Sequence, residues 1–353
     1  MKLLIILPVF LLAALLVWIA VDGQRGGIRE TLAFGQETAA APAAQEGEQT
    51  AASAPEAATE EVLKLEVSDT EAASTAAVAD TEPEDPVVHL LFSGDIYFSS
   101  HVLTAYDNAG GIHGVLDEAY RDEISRADIY MANQEFPFSD RGTPAPDKQF
   151  TFRVPPERVS MMHELGIDIV TIANNHTLDY GTDALVDTCT TLENAGIPYV
   201  GAGANMDRAK QLETIEVRGR TIGFLAASRV YPDTSWVANS KKPGMVSGYD
   251  PSILIKEIEA AGEYCDYLVV YMHWGIERDE KPQEYQRTLG RQLIDAGADL
   301  VIGSHPHVLQ GIEYYQGKPI VYSLGNFIFG SSIPKTALLR ADVDLEQNQV
   351  NLS

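Results

Sequence analysis

The residues of this chain best suited to chemistry are Asp95, Glu135, Asn174, Asn175, His176, His273, His305, His307 and Asn326. Each follows a short apolar run. Asp95 ends LLFSGD, Glu135 ends IYMANQE, and Asn174-Asn175-His176 end VTIANNH. His273 ends LVVYMH, His305 and His307 close LVIGSHPH, and Asn326 ends VYSLGN. Imidazole mixed with carboxylate suits zinc, iron or manganese. Two such ions roughly 3.5–4 Å apart can hold a water nucleophile and stabilise a phosphoryl-type transition state. Glu135 would bridge such a pair, and His176, outside the coordination shell, would protonate the leaving group.

Taken singly, each residue has a plainer use. An Asp after a strand caps a helix or forms a turn, and Asn175 and Asn326 are turn formers. A buried histidine is more often satisfied than ligating. His305-Pro306-His307 is stronger: in an extended segment, residues two apart point to the same side, and proline favours extension of the residue before it. The set gains its force jointly, because six apolar runs deliver polar groups at one kind of place.

The elements that must position these groups are short strands alternating with helices. The expected strands are 87–93, 129–132, 167–172, 199–201, 221–226, 267–272, 300–302 and 320–323, rich in Val, Ile and Leu as buried strands are. Helices are expected over 115–127, 156–165, 182–195, 251–262 and 283–296. Gly166, Gly196 and Gly297 follow three of these helices, where a C-terminus favours glycine. The alternation predicts a layered α/β domain, and in open α/β sheets ligands bind at the carboxyl ends of the strands.

Competing catalytic signatures are absent: there is no GxSxG elbow, no GxxxxGK[ST] loop and no GxGxxG. A formal charge of −26 excludes the basic footprint of a nucleic-acid binder. Cys189 and Cys265 read as two small buried hydrophobes, with a disulfide left open.

Leu3 to Val21 is an apolar run of 19 residues behind Lys2, about the length that spans a bilayer. It reads as an uncleaved signal anchor over residues 1–22, with a cleaved signal peptide as the alternative, and leaves the rest of the chain outside the cytoplasm, although Arg25 and Arg29 oppose that orientation. Residues 23–86 read as a disordered acidic linker. Thirteen acidic residues lie between Glu37 and Asp85 against the single Lys64, with no aromatic residue, and such a segment cannot bury enough apolar surface to offset its ordering entropy. The folded domain is expected over 87–353.

Ser93-Gly-Asp95, Asn133-Gln-Glu135, Ala173-Asn-Asn-His176 with Leu178-Asp-Tyr-Gly181, His273-Trp-Gly275 with Glu277, Gly303-Ser-His-Pro-His307 and Leu324-Gly-Asn-Phe327 run in order along the chain. Together they resemble the CapA (also PgsA) family of poly-γ-glutamate capsule proteins, which in turn resembles the calcineurin-like metallophosphoesterases. The resemblance implies a layered αββα sandwich. It implies Asp95, Glu135, Asn175, His273, His305 and His307 as ligands of manganese, iron or zinc, and His176 as the general acid. Asn133, Asn174, Glu277, Asn326 and Tyr97 are expected around them, against substrate or behind the ligands. One departure stands out: the phosphoesterase pattern opens Asp-x-His, and this chain reads Asp95-Ile-Tyr97.

Three functions follow from these readings. The first is a capsule-polymer protein that uses its site hydrolytically on an anionic polymer such as poly-γ-glutamate. The second is a non-catalytic subunit that assists membrane synthetase and export partners. The third is a metallophosphoesterase unrelated to capsule. Tyr97 favours the second over the third, and His176 favours the first over the second.

Overall fold

The structure is a computed structural model that describes residues 86–330, 333–347 and 349–353. The expected anchor and nearly all of the expected linker lie outside the described residues. Among the described residues no helix is long and apolar enough to cross a membrane.

Fifteen strands are described. In chain order they are β1 (Val87–Ile96), β2 (Ile129–Gln134), β3 (Ile169–Thr171), β4 (Tyr199–Val200), β5 (Ala202–Gly203), β6 (Glu213–Val217), β7 (Arg220–Ser228) and β8 (Gly244–Met245), then β9 (Tyr267–His273), β10 (Leu300–Ser304), β11 (Ile312–Tyr315), β12 (Lys318–Val321), β13 (Asn326–Ile328), β14 (Leu338–Asp344) and β15 (Gln349–Leu352). One mixed sheet has the order β15-β14-β1-β2-β3-β4, with β13 also beside β1. The second has the order β11-β12-β10-β9-β7-β6, and β5 pairs with β8. The chain is therefore an α/β fold with mixed sheets. β1, β2 and β3 run parallel, as do β7, β9, β10 and β12.

Strand periodicity explains where the site residues point. Along β9, Val269 and Tyr271 belong to the core shared with β1 and β2, while Leu268, Val270 and Met272 pack into a second core with Leu254, Ile258, Leu289 and Leu293. Those last four come from helices Ser252–Ala261 and Glu284–Ala296. His273 continues the Val269–Tyr271 face and so enters the space between the sheets. Tyr271 ties the two sheets there, its hydroxyl donating to the Ser93 carbonyl at 2.9 Å.

β1 carries a bulge next to the site. Phe92 pairs with Met131 and Asp95 with Asn133, so β1 advances three residues while β2 advances two. Such a bulge re-aims a side chain, here the carboxylate of Asp95. The approach is close: a Cβ at Gly94 would lie 1.9 Å from the Gly325 carbonyl oxygen, which itself accepts from the Asp95 amide at 2.8 Å. Gly94→Ala must push these two backbones apart. A stability loss of at least about 1–3 kcal/mol is expected, read as a lower urea midpoint with an unchanged slope.

Several elements differ from expectation. β1, β2, β9 and β10 extend further, so Asp95 and His273 lie within strands. The helix expected over 115–127 is only Glu118–Ile124, and that over 156–165 is a 3-10 turn, Pro156–Val159, running into Ser160–Glu164. Helix Ser100–Ala109 and the terminal pair β14–β15 were not anticipated. The alternating half-buried residues of β14 and β15 are the pattern of an edge hairpin rather than a buried run. Both cysteines are free. Gly166 and Gly196 take the left-handed conformation that ends a helix.

Candidate metal centre

The carboxyl ends of β1, β2, β3, β9 and β10 converge on one buried polar cluster. Asp95 is fully buried. Its Oδ1 accepts from Asn133 Nδ2 at 2.8 Å, and its Oδ2 lies 3.2 Å from His307 Nδ1. Asn133 Oδ1 accepts from Asn174 Nδ2 at 3.0 Å. Asn174 Oδ1 in turn accepts from the His176 amide at 3.0 Å. Asn175 Oδ1 lies 2.7 Å from His273 Nε2, and His273 Nδ1 lies 3.1 Å from Ser304 Oγ. Asn326, which opens β13, holds His307 Nδ1 at 2.7 Å.

Glu135 occupies the middle. Its carboxylate is fully buried, and neither oxygen has a hydrogen-bond partner among the described residues. Three imidazole nitrogens surround Oε1 without reaching it: His273 Nε2 at 3.7 Å, His176 Nε2 at 3.9 Å and His307 Nε2 at 4.0 Å. Three groups have donor atoms within 4.8 Å of one another: Glu135, His273 and His305; Asp95, Glu135 and His307; and Glu277, His305 and His307.

Burial, and then the charge of Asp95, holds the Glu135 carboxyl well above the usual carboxylate range. Burial, and then His305, pushes His273 well below the imidazole range. His305 is pushed down to about 3, by burial first and His307 next. Both are thus neutral, as ligation requires. His307 differs. Burial pushes it down, but Glu135 and Asp95 outweigh that and hold it up at about 10. As a metal ligand His307 would give up this proton, the ion supplying the positive charge beside the two carboxylates. The residues therefore fit a divalent ion: two buried carboxylates, neutral imidazoles, and orphaned atoms at Glu135 and at His305 Nδ1.

A family model described as bacterial capsule synthesis protein PGA_cap matches residues 89–331. The chain belongs to that family. It is 35% identical over 257 residues to the PGA biosynthesis protein CapA of Bacillus subtilis strain 168, covering 71% of this chain and 66% of that protein. It is 32% identical over 273 residues to the capsule biosynthesis protein CapA of Bacillus anthracis, covering 72% and 65%. The chain thus spans just under two thirds of the length of these relatives. Among solved structures it is similar to a phosphatase from Mycoplasma pneumoniae, with 14% identity, a TM-score of 0.48, and coverage of 76% of this chain and 92% of that one.

In this PGA_cap chain every residue of the cluster lies inside the matched span. One expectation needs correction. His305 and His307 do not share a side of an extended segment: β10 ends at Ser304, and the two have φ of 98° and 58°. Left-handed turns bring them together, not strand alternation. Tyr97 packs behind His176 through one intervening ring. Its ring stacks on Phe152 at 4.1 Å, and Phe152 stacks on His176 at 3.9 Å.

The sequence reading also missed partners of His176. Asp179 is fully buried, its Oδ2 lies 2.6 Å from His176 Nδ1, and it accepts from the Phe152 amide at 2.6 Å. Lys148 donates to Asp179 and to the Asn175 carbonyl, and its ammonium lies 3.0 Å from His176 Nδ1. Asp179, three residues after His176 in the quoted motif, carried a signal. Lys148 comes from a patternless loop and carried none.

Proposed function

We propose that this protein is a membrane-anchored capsule-biosynthesis protein of the cell surface. In this reading residues 1–22 are the anchor, 23–86 a linker, and 87–353 a domain of the αββα phosphoesterase type that hydrolyses a bond in an exported anionic polymer such as poly-γ-glutamate. Membrane synthetase and export subunits would be its partners. The observation that carries the hydrolytic part is Glu135. A fully buried carboxylate with two unpartnered oxygens costs several kcal/mol unless a cation meets it.

Asp95, Glu135, Asn175, His273, His305 and His307 would hold one or two ions of manganese, iron or zinc. Bound there, the metal supplies Lewis-acid polarisation of a phosphoryl or acyl oxygen. Asp179 accepts the Nδ1 proton of His176 and so fixes the tautomer, leaving Nε2 turned toward Glu135. That nitrogen is placed to hand a proton to the leaving group. Lys148 balances the charge of Asp179, and the stacked Phe152 ring keeps water from one face of the imidazole.

The test is elemental analysis of the purified protein beside His176→Ala, with hydrolysis of a generic phosphodiester and of poly-γ-glutamate followed on both. Metal in both, and turnover reduced by roughly 10²–10⁴ in the variant, is the expected result. Metal without turnover in the unsubstituted protein would support the assembly-subunit reading, which the packing of Tyr97 into an aromatic stack favours. No metal in either would overturn the proposal.

A further inference from the structure

We infer that Arg229, at the carboxyl end of β7, is a specificity-determining residue whose guanidinium holds a carboxylate of a bound polyanionic chain. The inference rests on the reading that the substrate is an anionic polymer. It adds a contact that lies outside the metal-binding cluster.

β7 ends at Ser228, which pairs with His273 of β9. The next amide, that of Arg229, donates to the His273 carbonyl at 2.8 Å. Arg229 therefore stands on the edge where the centre is assembled. Its side chain leaves by the other face. Leu225 and Ala227 of β7 belong to the helix-side core, and Arg229 continues their side. There its guanidinium meets Tyr285 of helix Glu284–Ala296 rather than the metal ligands. The position is beside the centre, where a polymer held at the metal runs on across the edge of the sheet.

The guanidinium is fixed by two rings. Its Cζ lies 4.3 Å from the centre of the Tyr285 ring and 4.9 Å from that of Tyr249. Both rings are themselves held. The Tyr285 hydroxyl accepts from the Gly275 amide at 2.7 Å. Tyr249 meets Tyr231 edge-on at 5.0 Å, and its amide donates to Ser247 Oγ at 3.1 Å. Cation–π attraction engages the face of a guanidinium and leaves the N–H donors along its edge. One of these is used: Nη1 donates to the Gly248 carbonyl at 3.3 Å. Among the described residues Nε and Nη2 have no partner, and the group has no carboxylate.

That is unusual here. Arg208, Arg287 and Arg291 also lie over tyrosine rings, and each is paired with a glutamate. The chain carries 51 acidic residues against 25 basic ones, so acids are in ample supply. A guanidinium held in place with its edge open presents a planar fork that matches a carboxylate through two parallel hydrogen bonds. The neighbouring Tyr249 is 56% exposed and offers an apolar ring face. A γ-linked glutamate unit supplies the complement of both, a pendant carboxylate and a run of methylenes. The field of an acidic protein repels a polyanion, so a fixed cation on this edge gives the chain a point of attachment.

The experiment measures the affinity of the full chain for a γ-linked glutamate oligomer and for the same oligomer with its carboxylates converted to amides. Arg229→Gln, Arg229→Lys and Arg291→Gln are compared, with urea midpoints to show that each is folded. The unsubstituted protein should bind the acid form more tightly than the amide form. Arg229→Gln should weaken the acid form roughly 10–100-fold and leave the amide form unchanged. Arg229→Lys should recover only part of that loss, because an ammonium lacks the fork. It carries the test alone if the glutamine variant does not fold. Arg291→Gln, with the same change in net charge, should alter neither affinity. Unchanged binding of the acid form by Arg229→Gln, equal weakening of both oligomers, or equal weakening by Arg291→Gln would overturn the inference and leave the polymer reading standing. Failure of the unsubstituted protein to bind the acid form would overturn the polymer reading itself, and the inference with it.

Discussion

Glu135→Gln is expected to abolish metal binding and, in the metal-free protein, to raise stability. Glu135 belongs to two of the three ligand groups, the one with His273 and His305 and the one with Asp95 and His307, so its loss breaks both. Without an ion its carboxylate is buried, unpartnered and set against Asp95. Replacing it with a neutral amide of the same shape removes a desolvation cost of about 1–3 kcal/mol or more. Asp95 lies closer to His307 than Glu135 does, so the His307 imidazolium keeps its partner.

The gain must depend on pH in a defined direction. The folded-state pKa of Glu135 is raised, above all by burial, from its usual 4.5. A raised acid takes up a proton on folding. Its contribution is therefore fully present below the usual value and is lost as pH rises through the folded value. The variant should thus exceed the parent at pH 8 and lose its advantage toward pH 4. Urea midpoints of chelator-treated proteins across that range check this. A variant less stable than its parent at pH 8 would show that Glu135 is satisfied without metal.

Asp179→Ala is expected to have the largest effect on folding. Asp179 is fully buried and serves Lys148, the Phe152 amide and His176 together. Its loss strands the Lys148 ammonium, whose side chain is only 14% exposed. Removing one partner of a buried pair costs about 3–5 kcal/mol. The imidazole also loses the acceptor that sets its tautomer, so turnover should fall roughly 10²–10⁴-fold. Adding Lys148→Met separates the two effects. The double variant should recover much of the lost stability, because no charge is left unpaired, and none of the lost turnover. Recovery of both would place Asp179 outside the chemistry.

The sequence by itself located nearly every residue of the centre. The apolar runs of β1, β2, β3, β9 and β10 are local patterns, and polar groups at their carboxyl ends converge wherever such strands lie parallel. His273 could be aimed from alternation alone, since it continues the inward face of Val269 and Tyr271. The tertiary structure decided the rest. Asp95 is aimed by a bulge whose register depends on β2 and whose closeness depends on Gly325. His305 and His307 meet through left-handed turns, which the expected extension did not foresee. Lys148 reaches Asp179 across 31 positions of chain, and the loop that carries Glu277 is placed by hydrogen bonds from Gly275 to Tyr285 and from Arg278 to Pro306. Strand periodicity is written in neighbouring residues. Contacts between distant loops are chosen only when the two sheets pack, because only then do buried charges have to find one another.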